Sequence, residues 1–432
     1  MRCVLATLAA ALALTSFASA GEGITIGQEV VLLENGPGKG LQATPDVAFG
    51  KDVYLAVWRE GWHGEGGASR IYAARVDTSG KVLDPKGIEI APSEKGVQTM
   101  PRVAFGGAPG GGGGVFLVVW QDLRNGEDYD VLGVRVSPVG KVLDAKPLAV
   151  AVTPGSQVLP DVASDGTAFL VAWQSIKGDE TEFRGYAAPV SAGGKVGPAV
   201  ETGATPQSRL AWDGTSYLVA WGGTSTYVRL LGRDGKRLTQ EKKLTMAIRN
   251  MKAGCFSLAA APGKGCLLIG HRSPPDYWNW GGPGAVRCAL VTPEAKLAPS
   301  LVQYREKTLG KEYYYRKFKV YDDWLDMGER VKGGGMWPWG ESALAWDGRN
   351  FVAVWQRHHI EQQVMFTNCD LIASRVDGWR PLDRPGAPVA ATDEEEKRPA
   401  LASDGAGKLL CVYERHGADG KVRIGARTLE TR

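Results

Sequence analysis

Leu159-Pro160-Asp161-Val162-Ala163-Ser164-Asp165-Gly166-Thr167-Ala168-Phe169-Leu170-Val171-Ala172-Trp173 is the stretch on which the fold turns. Val162-Ala163 is a short apolar run that stops at Asp165-Gly166, a strong hairpin signal because both residue types tolerate a positive φ. Phe169 to Trp173 is an unbroken run of aromatic, aliphatic and branched residues at strand length. It does not alternate apolar with polar, which is the pattern of a strand covered on both faces by neighbouring sheets.

The phrase returns along the chain. It recurs as Pro45-Asp46-Val47-Ala48-Phe49 with Tyr54-Leu55-Ala56-Val57-Trp58, and as Pro101-Arg102-Val103-Ala104-Phe105 with Phe116-Leu117-Val118-Val119-Trp120. Leu210 to Trp221, Leu344 to Trp355 and Pro399 to Tyr413 are further copies, and Phe256 to Gly270 is a worn one with Gly270 near the Trp position. With the opening stretch these make seven. The strand-end tryptophans up to Trp221 recur at roughly 50–60-residue intervals, the range of propellers and solenoids.

Each strand-end Trp is followed by a polar loop, a third strand, a turn and a fourth strand. Ile71-Tyr72-Ala73-Ala74-Arg75-Val76 then Gly80-Lys81-Val82-Leu83-Asp84 is copied as Val131-Leu132-Gly133-Val134-Arg135-Val136 then Gly140-Lys141-Val142-Leu143-Asp144. Four consecutive antiparallel strands per repeat make a propeller blade. The seventh repeat ends at Leu429 without a fourth strand, while Ile24 to Leu33 is a surplus one at the start. The expectation is an all-β, seven-bladed β-propeller closed by its N-terminal strand, which leaves no open sheet edge.

The chain therefore resembles the seven-bladed β-propeller repeat proteins of exported bacterial type. The resemblance rests on the Ser-Asp-Gly-Thr…Phe-Leu-Val-Ala-Trp phrase and on Trp120-Gln121-Asp122-Leu123-Arg124-Asn125-Gly126 leading to Asp130 through Arg135, and it spans about Ile24 to Leu429. It implies a fold and no activity, because propellers host many functions. WD and kelch signatures are absent. The Asp-Gly-Thr turns look superficially like sialidase Asp-boxes, but a whole strand stands where an aromatic should follow closely, so no sialidase residue is carried over.

Met1-Arg2, an apolar run and Ala18-Ser19-Ala20 read as a secretory leader cleaved near Ala20, giving a secreted or periplasmic product of residues 21–432 with no membrane insertion. Lys and Arg total 51 against 47 Asp and Glu, a near balance that argues against nucleic acid as a partner. Of the six cysteines, Cys3 falls in the leader and Cys255, Cys266, Cys288, Cys369 and Cys411 remain, an odd number. Cys266 and Cys288 lie on consecutive strands of the fifth repeat, either bridged as a cross-strand pair or buried as thiols.

What recurs at one blade position serves the blade. Trp58, Trp120, Trp173, Trp221 and Trp355 are read as packing residues, and Arg75, Arg135, Arg375 and Arg427 as scaffold arginines with loop carboxylates such as Asp122 or Asp130 as partners. What breaks the repeat falls on one face, in the loops 59–70, 121–130, 271–285 and 356–370. The largest break is an insertion at 301–340 that holds nine aromatics, including Trp324, Trp337 and Trp339, with Arg316 and Lys317 interleaved. Tyr277, Trp278 and Trp280 project from the adjacent fifth-repeat loop.

These rings and cations suit stacking on sugar faces and contact with an acidic polymer; the competing reading is a satellite core under the insertion. His63, His271, His358, His359 and His416 all follow second strands in repeats one, five, six and seven, which are consecutive around a closed ring. No metal-ligand spacing accompanies them. The loop from Asp122 would take calcium if any metal is held, although it lacks the spacing of a calcium loop.

The leading expectation is an exported, non-catalytic propeller that binds a glycan or surface protein on the loop face of blades 5 and 6. The alternative is a glycoside hydrolase or polysaccharide lyase at the same rim, with His271, His358 or His359 and a nearby acid as catalytic groups.

Overall fold

Seven antiparallel sheets of four or five strands follow one another along the chain, with no helix among the described residues. The computed structural model describes residues 23–432 except 38–40, 62–67, 93–95, 108–112, 178–181, 204–207, 223–224, 250, 273–285, 295, 297–323, 326–341, 362–364, 378–379 and 384–385. The inner strands are Gln42–Gly50, Gln98–Gly106, Ser156–Ser164, Arg209–Trp212, Met251–Ala261, Ser342–Trp346 and Glu395–Ser403. Each packs beside the inner strand of the next blade, and the seventh packs beside the first, so the ring is closed.

The N-terminal strand completes the last blade, as expected. Ile24–Ile26 and Val30–Val31 both pair with the third strand of blade 7, Val422–Thr431, in the registers Ile24↔Thr431 and Val30↔Ala426. The far ends of the chain are thereby stapled together by sheet hydrogen bonds, and an edge that would otherwise template association is covered.

The unbroken apolar strands are covered on both faces. In Val53–Gly61, Tyr54, Ala56 and Trp58 pack toward blade 7 while Val53, Leu55 and Val57 pack toward blade 2. Trp58 and Trp120 are wholly buried, and truncating such a ring typically costs about 3–5 kcal/mol. Their indole N–H groups donate to Glu60 and Asp122, two residues farther along the same strands. The five strand-end tryptophans are packing residues.

The hairpin turns differ from the expected mechanism. Gly166, Gly214, Gly348 and Gly405 have positive φ, but the aspartates before them do not. Each aspartate instead accepts backbone N–H groups from the residues beyond the glycine: Asp165 from Thr167 and Ala168, Asp213 from Thr215 and Ser216, Asp347 from Arg349 and Asn350, Asp404 from Ala406 and Lys408. Blade 1 places two non-glycine turn residues, Lys51 and Asp52, at positive φ.

The scaffold arginines find other partners than expected. Arg75, Arg135 and Arg375 form forked ion pairs with Asp84, Asp144 and Asp383 from the turn after their own strand, not with Asp122 or Asp130. The remaining nitrogen of each reaches the next blade, at the carbonyls of Pro138, Ala192 and Arg432. Arg427 is out of this set. It lies opposite Cys411, while Thr428 occupies the equivalent register, and it donates instead to Gly27 and Tyr413.

The loops on the opposite face are shorter than the sequence suggested. The blade 6 hairpin continues well past Trp355, with strands Phe351–Glu361 and Met365–Asp377, so most of 356–370 is ladder. The insertion also does structural duty, since Trp324–Leu325 is the outer strand of blade 5, paired with Val286 and Arg287. Register separates the two blade 5 cysteines. Cys266 stands opposite Val291 and Cys288 opposite Ile269, so the two are not register partners across the ladder. Cys266, Cys369 and Cys411 are buried thiols.

Candidate functional site

An inner-strand bulge recurs in blades 1, 2, 3 and 7. Thr44, Met100, Leu159 and Arg398, each just before a proline, adopt φ between 51° and 53°, and the ladder slips there. Positive φ at non-glycine residues is uncommon and persists only where surrounding contacts hold it. Those contacts come from the neighbouring blade: Thr44 N–H donates to Glu414 Oε1 at 2.8 Å and Leu159 N–H to Gln121 Oε1 at 2.9 Å. Gln121 and Glu414 both occupy the position after the strand-end aromatic.

Arg59 holds that same position in blade 1, and an arginine has no acceptor to offer. The residue is only 7% exposed, and its Nε and Nη1 have no hydrogen-bond partner. Burial lowers its pKa from the ordinary value; the charge of Glu414 opposes this and that of Arg398 adds to it. Glu414 is the hub. It accepts from Thr44 N–H, lies 3.4 Å from Arg398 Nη1, and its Oε2 is 3.1 Å from His416 Nε2. Burial pushes the Glu414 carboxyl up, but the His416 bond, Arg398 and the Thr44 N–H outweigh it and hold the group below the usual range.

Two acids, half-buried Asp46 and buried Glu396, lean the other way. Burial raises Asp46 from 3.8 to about 6, against Arg102 and the Val103 N–H and with help from Asp161. Asp46 accepts from Val103 at 2.8 Å and Asp161 from Leu210 at 2.7 Å, so these carboxylates stitch one inner strand to the next. Glu396 is wholly buried at the position that Gln42 and Gln98 fill in blades 1 and 2. Each glutamine accepts from the previous blade's third strand, at Ile424 or Ile71, and donates to a connector carbonyl, Leu33 or Ala91. Glu396 accepts from Thr392, its Oε2 has no partner, and burial drives its pKa from 4.5 to about 7, aided by Asp370 and Glu29.

His271, His358 and His359 lie within strands, opposite Val286, Cys369 and Asn368. Trp324 lies on the outer edge of blade 5, opposite Arg287. Tyr277, Trp278, Trp280, Arg316, Lys317, Trp337, Trp339 and His63 fall outside the described residues. Asp122 is occupied by Arg124 at 2.6 Å and by the Trp120 indole, and no group of three or more His, Cys, Asp or Glu among the described residues is placed to hold a metal. No helix among the described residues is long and apolar enough to cross a membrane.

The residues missed by sequence reasoning are Arg59, Arg398, Glu396 and Glu414. Three of them were visible as departures from a repeat: Arg59 where blades 2, 3 and 6 carry Gln and blade 7 carries Glu, Arg398 where blades 1, 2 and 3 carry Thr, Met and Leu, and Glu396 where those three blades carry Gln.

No protein-family model matches the chain, and no curated protein does. Among solved structures, an acylaminoacyl peptidase of Pyrococcus horikoshii is 11% identical with a TM-score of 0.46, covering 90% of this chain and 52% of that one. A Dyadobacter fermentans protein of unknown function is 10% identical with a TM-score of 0.43, over 95% of this chain and 100% of the other. A Trypanosoma rangeli sialidase in complex with sialic acid is 9% identical with a TM-score of 0.47, over 94% of this chain and 59% of the other. The chain spans about half the length of the peptidase. Likenesses this low carry no argument about chemistry.

Proposed function

We propose that the protein is an exported, non-catalytic propeller that binds a glycan or protein partner on its loop face. The observation that carries this reading is the asymmetry of the two faces. On the tight-turn face the charged turn groups satisfy one another: the turn aspartates are capped by backbone N–H groups, and the arginines are shared between their own turn and the next blade. On the other face stand Arg59, whose Nε and Nη1 have no hydrogen-bond partner, and the Arg398–Glu414–His416 group; the aromatic-rich sequence around Tyr277, Trp278, Trp280 and 301–340 supplies the candidate binding rings. Buried polar groups without partners are rare in folded proteins and mark places where something else completes the bonding.

The test is retention on a panel of immobilised polysaccharides and surface-protein extracts, comparing the full chain with a variant lacking 301–340 and with Arg398→Met. Loss of retention in either variant supports the reading; unchanged retention in both removes it. One observation favours the enzymatic alternative, the hydrogen bond between His416 Nε2 and Glu414 Oε2. A carboxylate that orients an imidazole is the arrangement of a general base. Polysaccharide turnover that disappears in His416→Ala would replace the binding reading with that one.

A further inference from the structure

We propose that the cleft between the 122–130 loop of blade 2 and the connector into blade 3 binds a sugar carrying a free ammonium group, so that the loop-face ligand is an amino glycan. The proposal rests on the glycan reading above and narrows it. Asn125, Asp128, Asp130, Val152, Thr153 and Pro154 line this cleft, whose volume is about 210 Å³. That is smaller than the roughly 300–1,000 Å³ of drug-sized pockets and suits a single sugar ring. The connector wall is tied to the loop wall, since the Gly155 N–H donates to Asp128 Oδ2 at 2.9 Å.

Asp130 selects the charge of the ligand. It is only 8% exposed, and its one side-chain hydrogen bond among the described residues is a long one, 3.5 Å from Asn125 Nδ2 to Oδ2. Oδ1 accepts none, and a buried carboxylate left unmet is costly. The cation on the same loop, Arg124, is committed to Asp122 through Nε at 2.9 Å and Nη2 at 2.6 Å. Burial and the charges of Asp128 and Asp122 push the Asp130 carboxyl up from its ordinary range, with Arg124 opposing. A bare metal ion does not fit, since no three acids among the described residues are placed to hold one and calcium takes about six to eight oxygens. The other wall selects the carrier of the ammonium. Val152 is 54% exposed and stands with Pro154, an apolar surface suited to the C–H face of a pyranose ring. The exposed Thr153 hydroxyl is available to a ring hydroxyl, whereas a lysine side chain carries an ammonium and no hydroxyl to answer it.

Isothermal titration of the full chain with tri-glucosamine, at a pH that keeps its amines charged, and with the uncharged tri-N-acetylglucosamine tests this, alongside Asp130→Asn and Val152→Ser. The expected result is saturable binding of the charged trimer and much weaker or no binding of the acetylated one. Affinity for the charged trimer should fall by about tenfold or more in Asp130→Asn and by about threefold in Val152→Ser. The asparagine keeps an acceptor for Asn125 and leaves no buried charge, so its urea midpoint should be unchanged or raised. Intact affinity in Asp130→Asn overturns the proposal. If that midpoint falls instead, Val152→Ser, at an exposed position, gives the reading, and unchanged affinity there overturns the site. Equal binding of both trimers overturns the ammonium site and leaves glycan binding standing. Binding of neither overturns the proposal, while the polysaccharide panel above judges the broader reading separately. Saturable binding of calcium chloride or of tetra-lysine in place of the trimer, abolished in Asp130→Asn, makes this a metal or protein site and overturns the amino glycan.

Discussion

Replacing Glu396 with glutamine should stabilise the propeller, and only above a definite pH. Glu396 is wholly buried between blades 6 and 7, its Oε2 has no partner, and burial raises its pKa from 4.5 to about 7. An acid whose folded-state pKa lies above its unfolded value binds its proton more tightly when folded. The stability tied to that proton is fully present below about pH 4.5 and is lost as pH rises through about 7. At about 1.4 kcal/mol per pKa unit, the shift corresponds to about 3 kcal/mol at most. Glutamine is the residue that blades 1 and 2 use at this position, where its amide both accepts from a third strand and donates to a connector. The assay is equilibrium urea unfolding of both proteins at several values between about pH 4 and pH 8.5. The curves should coincide near pH 4, and Glu396→Gln should be more stable by up to about 3 kcal/mol at pH 8.5. A gap that does not change with pH, or a less stable variant at high pH, would refute the reasoning.

Other perturbations follow from the same structure. Asp46→Asn keeps an acceptor for the Val103 N–H and removes an acid held at about 6, so the stability that the native protein loses between about pH 3.8 and 6 should be retained by the variant in the same titration. Arg135→Ala breaks the fork to Asp144 and the bond to Ala192, costing about 2 kcal/mol in urea unfolding. The equivalent change at Arg427, which lies outside that set, should leave the inter-blade turn contact of blades 2 and 3 intact in hydrogen-exchange protection of Ala192 and its neighbours. Deleting residues 24–31 uncovers the outer edge of Val422–Thr431, and light scattering should then detect self-association absent from the full chain.

Much of the architecture was legible from residues alone because a propeller writes its packing seven times over. A strand buried on both faces must be apolar throughout, so Tyr54 to Trp58 and its copies declare themselves without reference to any partner. The missing fourth strand of blade 7 and the surplus strand at Ile24 declare closure by simple accounting. The turn aspartates were recognised by type, but their hydrogen bonding was not, because φ at Asp165 depends on which N–H groups its carboxylate captures.

The site was a matter for tertiary structure. Arg59 and Glu414 are over 350 positions apart and belong to the first and last blades, so only ring closure brings their charges into interaction. The same holds for Thr44, whose strained backbone is held by that distant carboxylate. Register decided the rest: one residue of offset took Arg427 out of the arginine set, and an offset of three residues kept Cys266 and Cys288 from being ladder partners. Periodicity in a sequence reports what each strand must bury, which is a local matter of apolar side chains. Ion pairing, burial of charge and strand register depend on the neighbours that closure supplies, and those are properties of the folded ring.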